Sequence, residues 1–154
     1  MSIWFSNPTV AEIDHWHVET MPAHLGIVFT EIGEDYLKAQ MPISQKTVQP
    51  FRTMHGGASA ALAETIGSVA AALTVDNRRQ RCVGLTLNVN HIRPIPEGQT
   101  AYATTRPHHL GRTTQVWSIE IHDERGKLAT AATLTMAVLD GVGVGEGESK
   151  SVGQ

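Results

Sequence analysis

The sequence has one cysteine, few aromatic residues and no long hydrophobic run, and each scarcity excludes a class of protein. The single cysteine, Cys82, rules out an intramolecular disulfide, so the fold needs no oxidising compartment. The longest uncharged, mainly apolar stretch is 65–75, far short of the ~20 residues that cross a membrane. The N-terminus has no basic start followed by an apolar run, so no secretory signal is predicted. We expect a cytoplasmic protein that does not contact membranes.

Positive charge is scarce as well. Lysine and arginine total 12 against 15 acidic residues, and the formal net charge of −3 disfavours a general nucleic-acid binder. Charged residues make up 18% of the chain, below the typical share of about 25%, which indicates that a partner chain covers some surface. The length of 154 residues fits one domain, which we assign to 1–140. The segment 141–154 is too polar and too rich in glycine to pack, so we predict a disordered tail.

The hydropathy pattern predicts a short helix, a hairpin, one long helix and four strands. Thr9 is the candidate N-cap of the short helix, and the hairpin turns at 33–35. The only long helical segment, 58–75, is rich in alanine and has no proline. Strand-like patterns follow at 83–91, 99–106, 113–122 and 127–139. A sheet with a single apolar helix has to wrap that helix to bury it, so we expect an α+β fold.

Glu64 is the one charged residue in the predicted long helix. A helix that is apolar on all sides is buried. Removing a carboxylate from water destabilises the folded state by several kcal/mol, whereas the helix propensity of glutamate stabilises it by at most a few tenths of a kcal/mol. Glu64 is therefore either a functional acid, a residue at a wet groove, or the partner of an arginine.

His55, Gly56 and Gly57 stand at the start of this helix. The free N–H groups and the positive dipole end make an oxyanion site there, unless the glycines serve only a tight turn. Glu64 is eight residues beyond Gly56, or about 12 Å along the axis, too far for one side chain to bridge. Two helices packed antiparallel across a two-fold axis would bring each Glu64 to the other chain's Gly56. If the protein is an enzyme, we predict an active site at a dimer interface.

Three segments, 49–70, 84–93 and 109–117, closely resemble the hotdog-fold thioesterases. The resemblance spans about 22–139 and is to the 4-hydroxybenzoyl-CoA and phenylacetate-pathway branch, which carries its carboxylate inside the helix. Within that branch it is strongest to 1,4-dihydroxy-2-naphthoyl-CoA hydrolases and to thioesterases that proofread siderophore synthesis. The resemblance implies an antiparallel sheet wrapped around one long central helix, hydrolysis of an aromatic acyl-CoA, and a dimer that forms the site within a homotetramer. It implies no metal and no cofactor except coenzyme A as part of the substrate.

The resemblance also implies roles for individual residues. Glu64 would be the catalytic carboxylate, as nucleophile or as general base, and the Gly56 N–H would polarise the thioester carbonyl. Gln49 and His55 would orient the thioester and its leaving group, and Ser68 would help to place water. The positions implied to bind substrate and coenzyme A are Phe51, Gly84, His91, Ile92, Arg93, Pro94, His109, Leu110, Gly111, Arg112, Thr113 and Thr114. The family often has smaller residues at the positions of Pro94 and Arg112, so the details of nucleotide binding do not carry over to this chain from the resemblance.

Other functions are compatible with parts of the pattern. The hotdog branch with an aspartate in the loop before the helix is disfavoured, because 45–55 contains no acid. A non-catalytic module that binds acyl-CoA or an acyl carrier would bind ligand without turnover. Hotdog enoyl-CoA dehydratases pair a histidine with a carboxylate at a longer spacing than that from His55 to Glu64.

Overall fold

The computed structural model describes residues 1–141, and the predicted disordered tail lies outside the described residues from 142 onwards. It contains three helices and six strands in the described part of the chain. In chain order they are α1 (Val10–Trp16), α2 (Met21–His24), β1 (Val28–Ile32), β2 (Leu37–Pro42), α3 (Gly56–Leu73), β3 (Gln80–His91), β4 (Thr100–Leu110), β5 (Thr114–His122) and β6 (Leu128–Asp140).

The six strands form one antiparallel sheet in the order β1-β2-β4-β5-β6-β3. Helix α3 packs against β2, β3, β4, β5 and β6, so the sheet wraps the one long helix as predicted. The predicted short helix, hairpin and four later strands are all present. The sequence pattern did not predict α2, because four residues are too few to show a helical period.

The short helix α1 begins where the sequence predicts. The Thr9 hydroxyl accepts a hydrogen bond from the backbone N–H of Glu12, and the Glu12 carboxylate accepts one from the Thr9 N–H at 2.8 Å. This reciprocal capping box satisfies two N–H groups that the first helical turn leaves free.

The core lies between α3 and the sheet. Leu62 and Ile66 of α3 are fully buried, as are Trp117 and Leu134 on the strands. Gly67 allows the helix to approach closely, because a Cβ at that position would stand 2.6 Å from Leu134 Cδ2. Helix α3 is long and apolar enough to cross a membrane. However, 56% of it is buried inside the protein, which is typical of a core helix.

One side of α3 is only partly covered by the described residues. Between the first and last turns, the partly exposed residues follow each other at spacings of three and four along the helix, and they are Ala60, Ala61, Glu64, Thr65 and Ser68. The expectation that this helix is buried on all sides is wrong for a single chain, because the sheet contacts only one side of it. We call this set of five residues the small-residue stripe.

The last strand of the sheet, β3, pairs with β6 along one edge and with no other described strand. Its apolar side chains include Val83 and Leu85, which are 37% and 60% exposed. Arg81 is its only residue of type Asp, Glu, Lys or Arg, and it contains no proline. A long edge strand with so little charge is open to pairing with another strand.

Candidate active site

The start of α3 leaves one backbone donor free. His55 is the N-cap residue, and its ring Nδ1 accepts a hydrogen bond from the Gly57 N–H at 2.7 Å. The N–H groups of Ala58 and Ser59 donate to the His55 carbonyl. Gly56 N–H, the remaining donor of this first turn, has no acceptor among the described residues. The helix terminus therefore presents a single unused N–H, which suits a developing oxyanion.

The two glycines here are covered by imidazole rings. A Cβ at Gly56 would stand 3.1 Å from His91 Nε2, and a Cβ at Gly57 would stand 2.9 Å from His55 Nδ1. We expected these glycines either to form part of an oxyanion site or to serve only a tight turn. In the structure they also make room for two histidine side chains, one from the helix cap and one from β3.

The loop before α3 carries Gln49 and Phe51. The Gln49 amide donates from Nε2 to Thr53 Oγ1 at 2.8 Å, and its Oε1 accepts from the Phe51 N–H. Both ends of the amide are thus engaged within the loop, which they hold in shape. The Phe51 side chain is 88% exposed at the tip of this loop.

Glu64 has one hydrogen-bond partner, the Ser68 hydroxyl, which donates to Oε1 at 3.1 Å. Among the described residues, no lysine, arginine or histidine forms a salt bridge with it, so the arginine-pairing alternative finds no support within the chain. The carboxylate lies against β3, where a Cβ at Gly84 would stand 2.8 Å from Oε1. Glu64 is therefore a half-buried acid without a compensating cation in the part of the chain that the structure describes.

Gly56 and Glu64 contact different parts of β3. Gly56 lies beside His91 and Glu64 beside Gly84. These strand positions are seven residues apart, or roughly 20 Å in an extended chain. The residues after His91 stay near the His91 end of β3. The N–H groups of Ile92 and Arg93 both donate to the carbonyl of Ala129, at the start of β6.

The turn between β4 and β5 lies at the Gly84 end of the sheet. Its Gly111 N–H donates to the Thr114 carbonyl at 2.9 Å, and the Thr113 carbonyl accepts from Val138 N–H. Val138 is opposite Cys82 in the register of β3 and β6, two residues from Gly84. Along the sheet, the turn is therefore nearer to Gly84 and Glu64 than to His91 and Gly56.

The predicted site residues thus form two groups at opposite ends of the sheet. The glycine half-site consists of Gln49, Phe51, His55, Gly56, His91, Ile92, Arg93 and Pro94. The acid half-site consists of Glu64, Ser68, Gly84, His109, Leu110, Gly111, Arg112, Thr113 and Thr114. Strand register and hydrogen bonds place the two half-sites at different ends of β3, and no hydrogen bond among the described residues joins them within one protomer.

Sequence reasoning missed Ser59. Its side chain is fully buried, and its Oγ lies 3.2 Å from His91 Nδ1. The only signal was a serine one turn after Gly56 in an alanine-rich helix, and serine is too common in helices for that to be informative.

Neither a metal nor a thiol nucleophile is indicated in the described part of the chain. No three residues of types His, Cys, Asp and Glu are grouped there so as to hold a metal ion. Burial raises the pKa of Cys82 to about 11, so at neutral pH this residue is a protonated thiol.

Comparison with known proteins gives consistent results. Residues 51–130 match the family described as the Thioesterase superfamily. The chain is 44% identical over 138 residues to the proofreading thioesterase EntH of Cronobacter sakazakii, covering 89% of this chain and 98% of that protein. It is 44% identical over 137 residues to the 1,4-dihydroxy-2-naphthoyl-CoA hydrolase of Escherichia coli, covering 89% and 99%. A crystal structure of a mutant of thioesterase PA1618 from Pseudomonas aeruginosa superposes with a TM-score of 0.88 at 40% identity, covering 90% and 99%.

Proposed function

The chain belongs to the thioesterase superfamily, and from that membership we propose that it hydrolyses the thioester of an aromatic acyl-CoA to the free acid and coenzyme A. Thioester hydrolysis follows from the family. The aromatic acyl group is supported by the Escherichia coli relative, whose name gives a naphthoyl-CoA as its substrate. It is also supported by Phe51, whose exposed ring in the glycine half-site offers a surface for stacking.

Among the described residues, a carboxylate without a cationic partner and a backbone N–H without an acceptor lie in separate half-sites, and this observation carries the proposal. Thioester hydrolysis needs a donor that polarises the carbonyl and a group that attacks or activates water. Gly56 N–H and Glu64 are suited to these two tasks. Because one protomer holds them apart, the complete site requires a second copy of the chain.

The free edge of β3 is our proposed dimer contact. If two β3 strands pair antiparallel across a two-fold axis, Gly84 of one protomer approaches His91 of its partner. Glu64 of the first protomer then faces the partner's Gly56, and two identical sites result. The small-residue stripe of each α3 packs on the other, which covers the side that the sheet leaves open. We further propose that two such dimers associate as a homotetramer.

In this site the thioester carbonyl oxygen accepts a hydrogen bond from Gly56 N–H. Glu64 either attacks the acyl carbon, forming an anhydride that water then cleaves, or removes a proton from the attacking water. In both routes the water oxygen ends on the acyl carbon, the C–S bond breaks, and the coenzyme A sulfur leaves as a thiolate that takes up a proton. The Ser68 hydroxyl holds the Glu64 carboxylate in place through its hydrogen bond.

Residues of both half-sites serve the leaving group. Since His55 Nδ1 accepts from Gly57 N–H, the neutral ring carries its proton on Nε2, which is then free to donate towards the sulfur. The phosphates of coenzyme A need cations. Arg93 comes from the glycine half-site and Arg112 from the acid half-site, so the dimer brings one guanidinium from each chain to the same nucleotide.

The activity is tested with a panel of aromatic and fatty acyl-CoA substrates on the wild type and on Glu64→Gln. We expect the highest kcat/KM for an aromatic acyl group, and a kcat lower by about 10²–10⁴-fold in Glu64→Gln at similar KM. Glu120→Gln, a surface acid outside the site, is the control. A preference for fatty acyl groups would refute the aromatic assignment, and binding without turnover would favour a non-catalytic module.

The shared site is tested by mixing two inactive variants, Glu64→Gln and Gly56→Pro, after dissociation. If each site takes Glu64 from one chain and Gly56 from the other, half of the dimers are mixed and one of their two sites is intact. Activity should then recover to about a quarter of the wild-type value. If both groups came from the same chain, no mixed dimer would hold an intact site and activity would stay at the level of the variants.

A further inference from the structure

Ser59 is a buried hydroxyl between the start of α3 and His91. Its side chain has no solvent exposure. The Oγ lies 2.9 Å from the Gly56 carbonyl oxygen and 3.2 Å from His91 Nδ1. A hydroxyl in such a position connects the backbone of the helix start to the imidazole.

The two contacts of this hydroxyl determine where the His91 proton lies. A serine hydroxyl has one proton to donate, and the Gly56 carbonyl oxygen can only accept. The shorter contact is the one to the carbonyl, so the proton points there and a lone pair of Oγ faces Nδ1. Nδ1 must then carry a proton to complete the second hydrogen bond, which leaves Nε2 as an unprotonated acceptor.

His91 Nε2 lies close to Gly56, where we propose that the thioester carbonyl binds. It is next to the α-carbon of Gly56, whose N–H is the free donor of the first helical turn. An acceptor nitrogen at this position suits a hydrogen-bond donor of the substrate. The nearest such donor to a coenzyme A thioester is the amide N–H two carbons from the sulfur.

We propose that Ser59 is a positioning residue that holds His91 in the neutral Nδ1–H tautomer, so that Nε2 accepts a hydrogen bond from the amide of the coenzyme A arm. The amide part of this inference rests on the proposed function, whereas the tautomer does not. This role is more specific than the binding of substrate or coenzyme A that the resemblance implies for His91, and it does not include phosphate binding, because a neutral acceptor does not attract an anion.

Thr130 provides a matched control. It is opposite His91 in the register of β3 and β6 and is 1% exposed. Its hydroxyl has no hydrogen-bond partner among the described residues. Thr130→Val therefore removes a buried hydroxyl from the same neighbourhood without removing a hydrogen bond to the ring.

The tautomer is tested by ¹⁵N NMR of histidine-labelled full-length protein without substrate at pH 8, where an ordinary histidine is uncharged. We expect the His91 signals to show a protonated Nδ1 and an unprotonated Nε2 in the wild type and in Thr130→Val. In Ser59→Ala the Nε2–H form should appear. A wild-type signal for Nε2–H, or a tautomer unchanged in Ser59→Ala, would overturn the proposal whatever the enzyme's activity.

The amide contact is tested with two small thioesters of benzoic acid. One has N-acetylcysteamine as its thiol, and the other replaces the amide N–H of that thiol by an ester oxygen. We expect the wild type and Thr130→Val to favour the amide by about tenfold in kcat/KM, and Ser59→Ala to lose most of this preference. Equal rates on both thioesters in the wild type would refute the amide contact, while leaving the tautomer and the thioesterase activity to their own tests.

Discussion

The carboxylate of Glu64 rests on the backbone of Gly84, across the space between α3 and the edge strand. The three atoms nearest to a Cβ built at Gly84 all belong to Glu64, and the closest is Oε1 at 2.8 Å. The backbone of Gly84 is not in a left-handed conformation, so the close approach of the acid, and not a positive φ, favours a glycine at this position. This contact sets where the proposed catalytic group can stand.

Replacement of Gly84 by alanine should therefore move Glu64 and little else. We expect Gly84→Ala to lower kcat by ten- to a hundredfold, since a displacement of about 1 Å in a catalytic group costs that much. The melting temperature should stay near the wild-type value, because a flexible carboxylate can give way without disturbing the core. Steady-state kinetics with a thermal melt checks both. A kcat equal to that of the wild type would show that the contact does not position the acid.

The Gly56 N–H can be removed without an unfavourable change to the helix. Proline is well tolerated at the first position of a helix, and His55 already has the extended backbone that precedes a proline. We expect Gly56→Pro to lower kcat by about 10²–10³-fold, as when one oxyanion donor is lost. Circular dichroism should show that the helix content is kept.

Gly56→Ala is the matched comparison for this variant. It adds a Cβ beside the His91 ring, as proline does, but keeps the N–H. We expect a loss of less than about tenfold, because the donor is still present. Equal losses in the two variants would attribute the effect to crowding of His91 rather than to the hydrogen bond.

Cys82 should react slowly with thiol reagents. Burial raises its pKa to about 11, and the thiolate is the reactive form. At pH 8 the thiolate fraction should be on the order of a hundredfold below that of an ordinary cysteine. The rate of alkylation by iodoacetamide should rise with pH up to about 11, provided that the protein stays folded. Fast alkylation at pH 8 would contradict this prediction, and the urea-unfolded protein gives the reference rate.

Much of the fold could be predicted because its signals are local or periodic. Thr9 as a candidate N-cap predicted where α1 begins, and the period of two after 80 predicted β3. The helix α2 was missed because it is one turn long. The burial of α3 on all sides was predicted from composition, which cannot tell that a sheet covers one side and leaves a small-residue stripe on the other.

The candidate site was predictable in part for the same reason. Glu64 is conspicuous in the sequence because it is a single charge among alanines, for which helix propensity alone gives no reason. Ser59 was overlooked because a serine in a helix has no unusual cost. Its contact with His91 joins residues 32 positions apart, which neither pattern nor spacing reveals.

The sequence by itself determined that this chain forms a sheet around one helix, that the helix carries an acid, and that eight residues separate the acid from the glycine turn. These features follow from local propensity and periodicity, which depend on residues only a few positions apart. Only the tertiary structure decided that Glu64 lies on Gly84 and Gly56 beside His91, at two distant places on the same edge strand. Such neighbours are set by strand order and register, through hydrogen bonds and packing between segments far apart in the chain.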